Sequence, residues 1–305
     1  MRSRVIELPA RRITLSRRGS VSSHSHQGYL LSEFAFISLL MEGSGFWGLS
    51  PFAAMIIPLL AVMVYPVLAR MLFPLQKLSE HQSQELSESL PTDDKAFMAR
   101  LRVCDTGERI CNAAVVGCLP GFSFVLVSDA LFTRLSPQGV AAIVAHEMGH
   151  LKLWHVPLRL CIVFAGGVLG LALVHQAEGL AAWQTAAQVA ATLATAGYMG
   201  LMLHLVAPLL EFHADAYAID ALSSKSGDRR QAVRELTKAL SQLTLLSGLR
   251  PDQKTWLYPS FEERRQAILG QQSSPSFRHR LQRLLAVIFL SQLMLIAVGI
   301  MVVAR

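Results

Sequence analysis

Long stretches without a charged residue divide this chain into apolar and polar parts. Four uncharged runs cover residues 43–69, 160–177, 179–210 and 284–304. Three of them, with 27, 32 and 21 residues, are long enough to cross about 30 Å of hydrocarbon as α-helices. The run at residues 160–177 is shorter and has two glycines in its middle. Four such runs in one chain favour membrane-spanning helices over the core helices of a soluble protein.

Two further elements are predicted in the polar part before residue 158. Ser136 followed by Pro137 is typical of a helix N-cap with proline at the first helical position, and apolar residues then recur at helical spacing. This pattern predicts a helix over about residues 137–154. Residues 111–116 and 122–127 are largely apolar and flank a Pro-Gly pair, which predicts a β-hairpin.

The composition agrees with a membrane protein, since 52% of the residues are hydrophobic, 16% are charged and the mean hydropathy is +0.40. The net charge of +7 has no nucleic-acid motif beside it. We attribute this charge to anionic lipid headgroups next to the spanning helices. The four cysteines form neither a disulfide framework nor a C-x-x-C metal knuckle. We therefore expect a lipid bilayer as a partner, and no nucleic acid.

The predicted helix carries the sequence AHEMGH, which contains an H-E-x-x-H pattern. His146 and His150 lie about 40° apart around a helix and one turn along it, so both imidazoles can reach one metal ion. Glu147 points beside that ion, where a base acting on water is needed. The alternative is a pair of histidines on a helix surface. His155 lies about 180° from His146 on a continuous helix, which makes it a poor third ligand.

A second helical segment, LLEFHADAYAIDAL, offers a third ligand for zinc. Glu211 and Asp215 are four residues apart and share one helix face. Glu211 would bind the metal, and Asp215 would accept the outer N–H of a ligating histidine. His213 lies about 200° from Glu211 and points elsewhere. A solvated pair of acidic residues is the alternative explanation.

At this point the chain resembles the membrane gluzincin metallopeptidases, family forty-eight, which include CAAX prenyl proteases and HtpX-type heat-shock proteases. The resemblance covers roughly residues 75–270. It is carried by CNAAVVGCLPGFSFVLVSDALFTRLSP, AHEMGHLKLWH, EFHAD and YPSFEERRQAIL, in the order in which the family has them.

The resemblance implies a fold and a set of roles. The expected fold is a mainly α multi-pass membrane protein with a zincin-like α+β metalloprotease domain and a small β-hairpin or sheet. One zinc ion would be bound by His146, His150 and Glu211, with Glu147 as the base, Asp215 behind a ligand and Asn112 on the substrate strand. Tyr258 and Pro259 stand where the family usually has His-Pro. Tyr258 either donates to the transition state in place of that histidine or only packs before the proline.

We expect six regions along the chain. They are a basic tail at 1–28, an N-terminal membrane region at 29–72, the first half of the protease domain at 73–157, a transmembrane hairpin at 158–210, the second half at 211–283 and a C-terminal transmembrane helix at 284–305. The hairpin must return the chain to the same side, because both halves contribute ligands. The second half contains twelve Lys and Arg residues, which places the domain in the cytoplasm by the positive-inside rule.

The predicted function is that of a zinc-dependent endopeptidase hydrolysing proteins or peptides at the membrane surface, in quality control or processing. We expect it in the cell inner membrane, although the Arg- and Ser-rich tail leaves a mitochondrial inner membrane open. A signalling protease that cuts a repressor is a second possibility. A transporter or metal-binding membrane scaffold is the non-enzymatic one. The oligomeric state stays open.

Overall fold

The structure is a computed structural model that describes residues 60, 65–71, 75–90, 95–119, 121–272 and 276–304. The basic tail, the segment before residue 42 and most of the first apolar run lie outside these residues. A helical segment over residues 65–71 precedes the first strand. The N-terminal membrane region expected over residues 29–72 therefore stays a prediction.

The sheet has four strands, namely β1 (Leu75–Gln76), β2 (Leu101–Cys104), β3 (Ala113–Val116) and β4 (Phe124–Ser128). Their order is β1-β2-β4-β3, with β2 and β4 parallel and the other two pairs antiparallel. The predicted hairpin corresponds to β3 and β4, which pair from Ala113 opposite Val127 to Val116 opposite Phe124. Strand β3 lies at one edge of this sheet.

The helices account for most of the described residues. They are α1 (Glu80–Ser89), α2 (Lys95–Met98), α3 (Asp129–Arg134), α4 (Pro137–Lys152), α5 (His155–Ala177), α6 (Gln184–Ser226), α7 (Arg229–Leu246), α8 (Phe261–Gln272) and α9 (Ser276–Val303). A short 3₁₀ helix, Glu178–Trp183, joins α5 to α6. A mainly helical chain with a small sheet was expected from the sequence, and the structure confirms it.

Helix α4 forms the centre of the folded domain. The hydroxyl of Ser136 accepts the backbone N–H of Gly139 at 3.2 Å, and Pro137 follows this N-cap, as the sequence predicted. The helix packs against β3 and β4 and also against α6 and α7. Its residues 139–146 are all buried. A helix that is buried on nearly every side holds its side chains in fixed positions, as a metal site requires.

Three described helices are long and apolar enough to cross a membrane, namely α5, α6 and α9. Small residues bring them together. A Cβ on Gly166 would lie 2.3 Å from the side chain of Met199, and a Cβ on Gly299 would lie 2.4 Å from that of Val168. Large apolar side chains on the outside of this bundle are exposed, including Leu193, Leu201, Leu290 and Met294. Such a surface fits lipid.

Helix α6 continues without a break from this bundle into the folded domain, over 43 residues. It ends at Gly227, whose φ of 71° is in the left-handed region that favours glycine at a helix C-terminus. Residue 211, where we expected the second half of the protease domain to begin, therefore lies inside a helix. The acidic residues Glu211 and Asp215 therefore lie on a helix that is also part of the apolar bundle.

Candidate metal centre

His146, His150 and Glu211 come together where α4 crosses α6. One possible ligand atom from each lies within 4.8 Å of the other two. The two Nε2 atoms are 3.1 Å apart, and they lie 3.4 Å and 3.5 Å from the Glu211 carboxylate oxygens. Ligands about 2.0–2.1 Å from a tetrahedral zinc are separated by about 3.3 Å. This donor set and spacing fit zinc.

The crossing is close because Gly149 lies at the contact. A Cβ on Gly149 would lie 3.1 Å from the Cα and 3.2 Å from the carbonyl oxygen of Ala214. Gly149 lies between the two histidines along α4, and Ala214 lies between Glu211 and Asp215 along α6. The small residues at this point let the acidic face of α6 reach the two imidazoles.

Asp215 lies behind His146. Its Oδ1 is 2.9 Å from the Nδ1 of His146, opposite the Nε2 that faces Glu211. Arg264 on α8 donates to both oxygens of this fully buried carboxylate, at 2.6 Å and 2.9 Å. A bidentate guanidinium fixes the plane of the carboxylate, and the carboxylate in turn orients the imidazole.

The charges around the cluster favour a cation. The carboxylates of Glu147, Glu211 and Asp215 face the guanidinium groups of Arg159 and Arg264. With neutral histidines the cluster thus has one excess negative charge. Burial alone would lower the pKa of Arg264. The three carboxylates have a larger effect, so the pKa of Arg264 is raised.

The two histidines differ in their titration. Burial, followed by the charge of Arg264, lowers the pKa of His146, but hydrogen bonds to Asp215 and Glu211 outweigh them and raise it. Burial is the main reason that the pKa of His150 is lowered, with the neighbouring cations adding to it and Glu211 opposing it. His150 is therefore neutral. Metal binding would displace a proton held between His146 and Asp215.

Glu147 and Tyr258 lie close to this cluster. The Glu147 side chain is half-buried, and its charge acts on both Tyr258 and Arg264. Burial raises the pKa of Tyr258 to about 12, with Glu211 and Glu147 adding to the rise and Arg159 opposing it. The Tyr258 hydroxyl is consequently protonated at neutral pH and remains a hydrogen-bond donor.

The loop before α8 is what brings Tyr258 there. The Tyr258 N–H donates to the hydroxyl of Thr255 at 3.0 Å, and the Thr255 N–H donates to the Tyr258 carbonyl at 3.1 Å. Between them in sequence, Trp256 stacks on His204 of α6, and its carbonyl oxygen lies 2.6 Å from the His204 Nδ1. The loop is thus fixed to the apolar bundle two residues before Tyr258.

Asn112 extends the pairing of β3 with β4 by one residue. Its N–H donates to the hydroxyl of Ser128 at 2.9 Å, and its carbonyl accepts the Ser128 N–H at 3.0 Å. Strand β3 packs on α4, and its other side is the edge of the sheet. Among the described strands β3 is therefore the outermost on this side of the sheet, and it packs on the helix that bears the two histidines.

Sequence reasoning missed two guanidinium groups that face the cluster, and it did not predict that His155 and His213 lie behind it. Arg264 and Arg159 approach Glu211 at 3.6 Å and 3.5 Å. Arg159 had a signal, because a charge inside the start of an apolar span usually has a functional reason. His155 and His213 were placed away from the metal, and neither belongs to the three-residue cluster found among the described residues.

The position of His155 differs from the expected one because α4 is shorter than predicted. The helix ends at Lys152, and Trp154 adopts a φ of 59°, which non-glycine residues rarely take. A new helix, α5, starts at His155. The angle of 180° assumed a continuous helix to residue 154, whereas the turn brings His155 behind His150.

The chain is similar to known proteins in both sequence and structure. The sequence model of peptidase family M48 matches residues 78–288, which is more than half of the chain. No curated protein matches in a direct sequence search. The crystal structure of S. mikatae Ste24p is similar, with a TM-score of 0.55 at 17% sequence identity, over 81% of this chain and 63% of that one. The chain and Ste24p share a fold, and this chain spans less than two thirds of the length of Ste24p.

Proposed function

The chain belongs to peptidase family M48, as its motifs predicted, and from this premise we propose that it is a zinc-dependent membrane endopeptidase. It hydrolyses peptide bonds of proteins or peptides at the membrane surface, in quality control or processing. The observation that carries the proposal is the convergence of His146, His150 and Glu211 at distances that suit tetrahedral zinc.

The roles proposed for the side chains follow from where they lie. His146, His150 and Glu211 hold the ion, and Asp215 fixes the His146 tautomer. Bound zinc would supply a Lewis acid that polarises the scissile carbonyl and acidifies water. Glu147 takes a proton from the water as the water oxygen attacks the carbonyl carbon. Glu147 then delivers this proton to the amine nitrogen as the C–N bond breaks.

The proposed substrate is an extended segment of a protein or peptide. The edge of β3, which begins after Asn112, can pair with such a segment by strand addition. Pairing straightens the substrate backbone and brings a scissile bond alongside α4. Asn112 lies at the start of this edge, and the substrate-binding role that the family resemblance implies for it is part of this proposal.

The site lies where α6 leaves the apolar bundle. The helix rises by about 40 Å between Gln184 and Glu211, and the hydrocarbon layer is about 30 Å thick. If the turn before Gln184 marks one membrane surface, Glu211 lies at the other. This supports substrates that are in the membrane or next to it.

A transporter or a metal-binding scaffold is less well supported. Such a protein needs ligands but no base beside them. Glu147 follows His146 directly, and its charge acts on Tyr258 and Arg264. An ionisable group at this position has a function in hydrolysis and none in passive metal binding.

Metal analysis tests the zinc site. We expect about one zinc per chain in the full-length protein purified in detergent, and none in His146→Ala. Asp215→Ala should weaken zinc binding by about 10- to 100-fold, because losing the group behind a ligand has this effect. The measurement is zinc content by elemental analysis, with affinity from competition with a chelator.

A matched control for these variants is His81→Ala, which removes an exposed histidine from α1. It should retain the zinc content of the wild type. Full zinc occupancy in His146→Ala would show that the ion binds elsewhere.

Cysteine labelling tests the cytoplasmic orientation. In a background without the four native cysteines, Gln84→Cys and Lys238→Cys place thiols at exposed positions in the two halves of the folded domain. Both should react only with membrane-permeant reagents in intact cells, because the second half is basic. Gln184→Cys, at the far end of α6, is the control and should react with impermeant reagents.

The labelling pattern separates two errors. If Gln84→Cys and Lys238→Cys react from opposite sides, the two halves do not share a compartment and the metal site fails. If both react from the outside, only the orientation is wrong.

A further inference from the structure

Three buried histidines form a row that starts at the candidate ligand His150. The Nδ1 of His155 lies 2.8 Å from the Nδ1 of His150, and its Nε2 lies 3.2 Å from the Nδ1 of His213. His155 and His213 are 1% and 2% exposed. At the far end, the Nε2 of His213 has no hydrogen-bond partner among the described residues. Neither His155 nor His213 has a role in the hydrolysis proposed above.

The direction of these hydrogen bonds follows from the metal site. A neutral imidazole has one proton, on one of its two nitrogens. If the Nε2 of His150 binds zinc, its proton must be on Nδ1, and the Nδ1 of His155 must accept it. The proton of His155 is then on its Nε2, which donates to the Nδ1 of His213. The last proton lies on the Nε2 of His213. One arrangement of three neutral rings thus satisfies both contacts.

We propose that His155 and His213 are positioning residues, which hold His150 in its metal-binding tautomer and orientation. This inference rests on the metal site proposed above and extends it. His146 has a carboxylate behind it, Asp215, whereas His150 has a neutral acceptor. The histidine row supplies the hydrogen bond that a ligating imidazole needs without adding a further negative charge to the buried cluster.

The turn between α4 and α5 is built in a way that supports this role. A continuous helix would place His155 on the far side of α4 from His146. Trp154, with its φ of 59°, interrupts the helix and turns His155 back onto His150. A bulky residue in the left-handed region is strained, and such strain persists where the surrounding structure requires it.

Two substitutions at one position separate positioning from packing. In His155→Asn the side-chain oxygen can lie where the histidine has Nδ1, so the acceptor for His150 is kept. In His155→Gln the polar end lies where the histidine has Nε2, so that acceptor is lost. Zinc affinity would be measured on the full-length protein by competition with a chelator, together with thermal unfolding of the zinc-free protein.

We expect His155→Gln to weaken zinc binding by about 10- to 100-fold, and His155→Asn to stay within roughly threefold of the wild type. The same pair at the next link should behave alike with smaller effects, so that His213→Gln weakens binding more than His213→Asn. This second pair decides the question if the substitutions at residue 155 prevent folding. Zinc-free unfolding temperatures that are equal within each pair would assign the difference to the metal site.

Equal zinc affinities of His155→Asn and His155→Gln would overturn the proposal, since losing the acceptor for His150 would then have no effect on metal binding. If the wild type binds zinc no better than His146→Ala does, the metal site is wrong and the role of the histidine row falls with it. Zinc binding by the wild type that is lost in His146→Ala but equal in the residue 155 pair would leave the metal site intact and remove only the positioning role.

Discussion

Replacing Glu147 by glutamine is expected to lower kcat by about 10²- to 10⁴-fold, which is the usual contribution of a general base. Glutamine keeps the size and shape of the side chain but cannot accept a proton from water. Zinc content should remain that of the wild type, because Glu147 is not one of the three residues that converge on the metal position. The measurement is hydrolysis of an unfolded protein substrate, with zinc content determined on the same sample.

Glu88→Gln is the matched control, because it makes the same change at an exposed position on α1. Its activity should stay within about twofold of the wild type, as for surface substitutions generally. Activity of Glu147→Gln within a few-fold of the wild type would exclude this residue as the base. A loss of activity together with a loss of zinc would instead mean that the substitution disturbs the site itself.

The elements that the sequence predicted well have their signals within a few residues. Helix α4 starts at Pro137, as the Ser-Pro pair and the apolar spacing indicated. The β3–β4 hairpin lies within two residues of its predicted strands. Local hydrogen bonds and the alternation of buried and exposed residues determine these elements. Both can be predicted from residues that are close together in the sequence.

Pairing between distant segments could not be read in this way. Strand β2 is parallel to β4, and β1 adds only two residues to the sheet. Short strands of this kind are stabilised by burial against their neighbours, and their own sequence says little. The length of α6 was missed for a different reason. Charged residues end an apolar run without ending a helix, and the first helix-ending glycine comes at Gly227.

In the candidate site, too, the residues related by local spacing were predicted and those contributed by distant segments were not. The spacing of His146 and His150, and of Glu211 and Asp215, is a helical property, and so the sequence could pair them. Arg264 approaches Asp215 from a helix 49 residues away in sequence, and no periodicity relates the two. The histidine row depends on one unusual backbone conformation at Trp154, which the residue type itself disfavours.

Tyr258 stands where the family resemblance leads us to expect a histidine. Its hydroxyl accepts a hydrogen bond from Arg159, and Arg159 lies 3.5 Å from the Glu211 carboxylate. A phenol hydroxyl can donate its own O–H as well as accept a hydrogen bond. We propose that this O–H donates to the carbonyl oxygen of the substrate as negative charge develops on it.

Tyr258→Phe is therefore expected to lower kcat by about 10- to 1000-fold, with zinc content retained and KM little changed. Phenylalanine keeps the ring and removes the hydroxyl, and an interaction that forms only in the transition state affects kcat alone.

Tyr198→Phe is the matched control, since it removes a tyrosine hydroxyl that donates to Gln292 within the apolar bundle. That variant can lower thermal stability but should keep kcat within about twofold of the wild type. An unchanged kcat in Tyr258→Phe would leave Tyr258 with a packing role before Pro259. Activity in Tyr258→His that equals or exceeds that of the wild type would show that a donor at this position, and not the ring of tyrosine, is what the reaction needs.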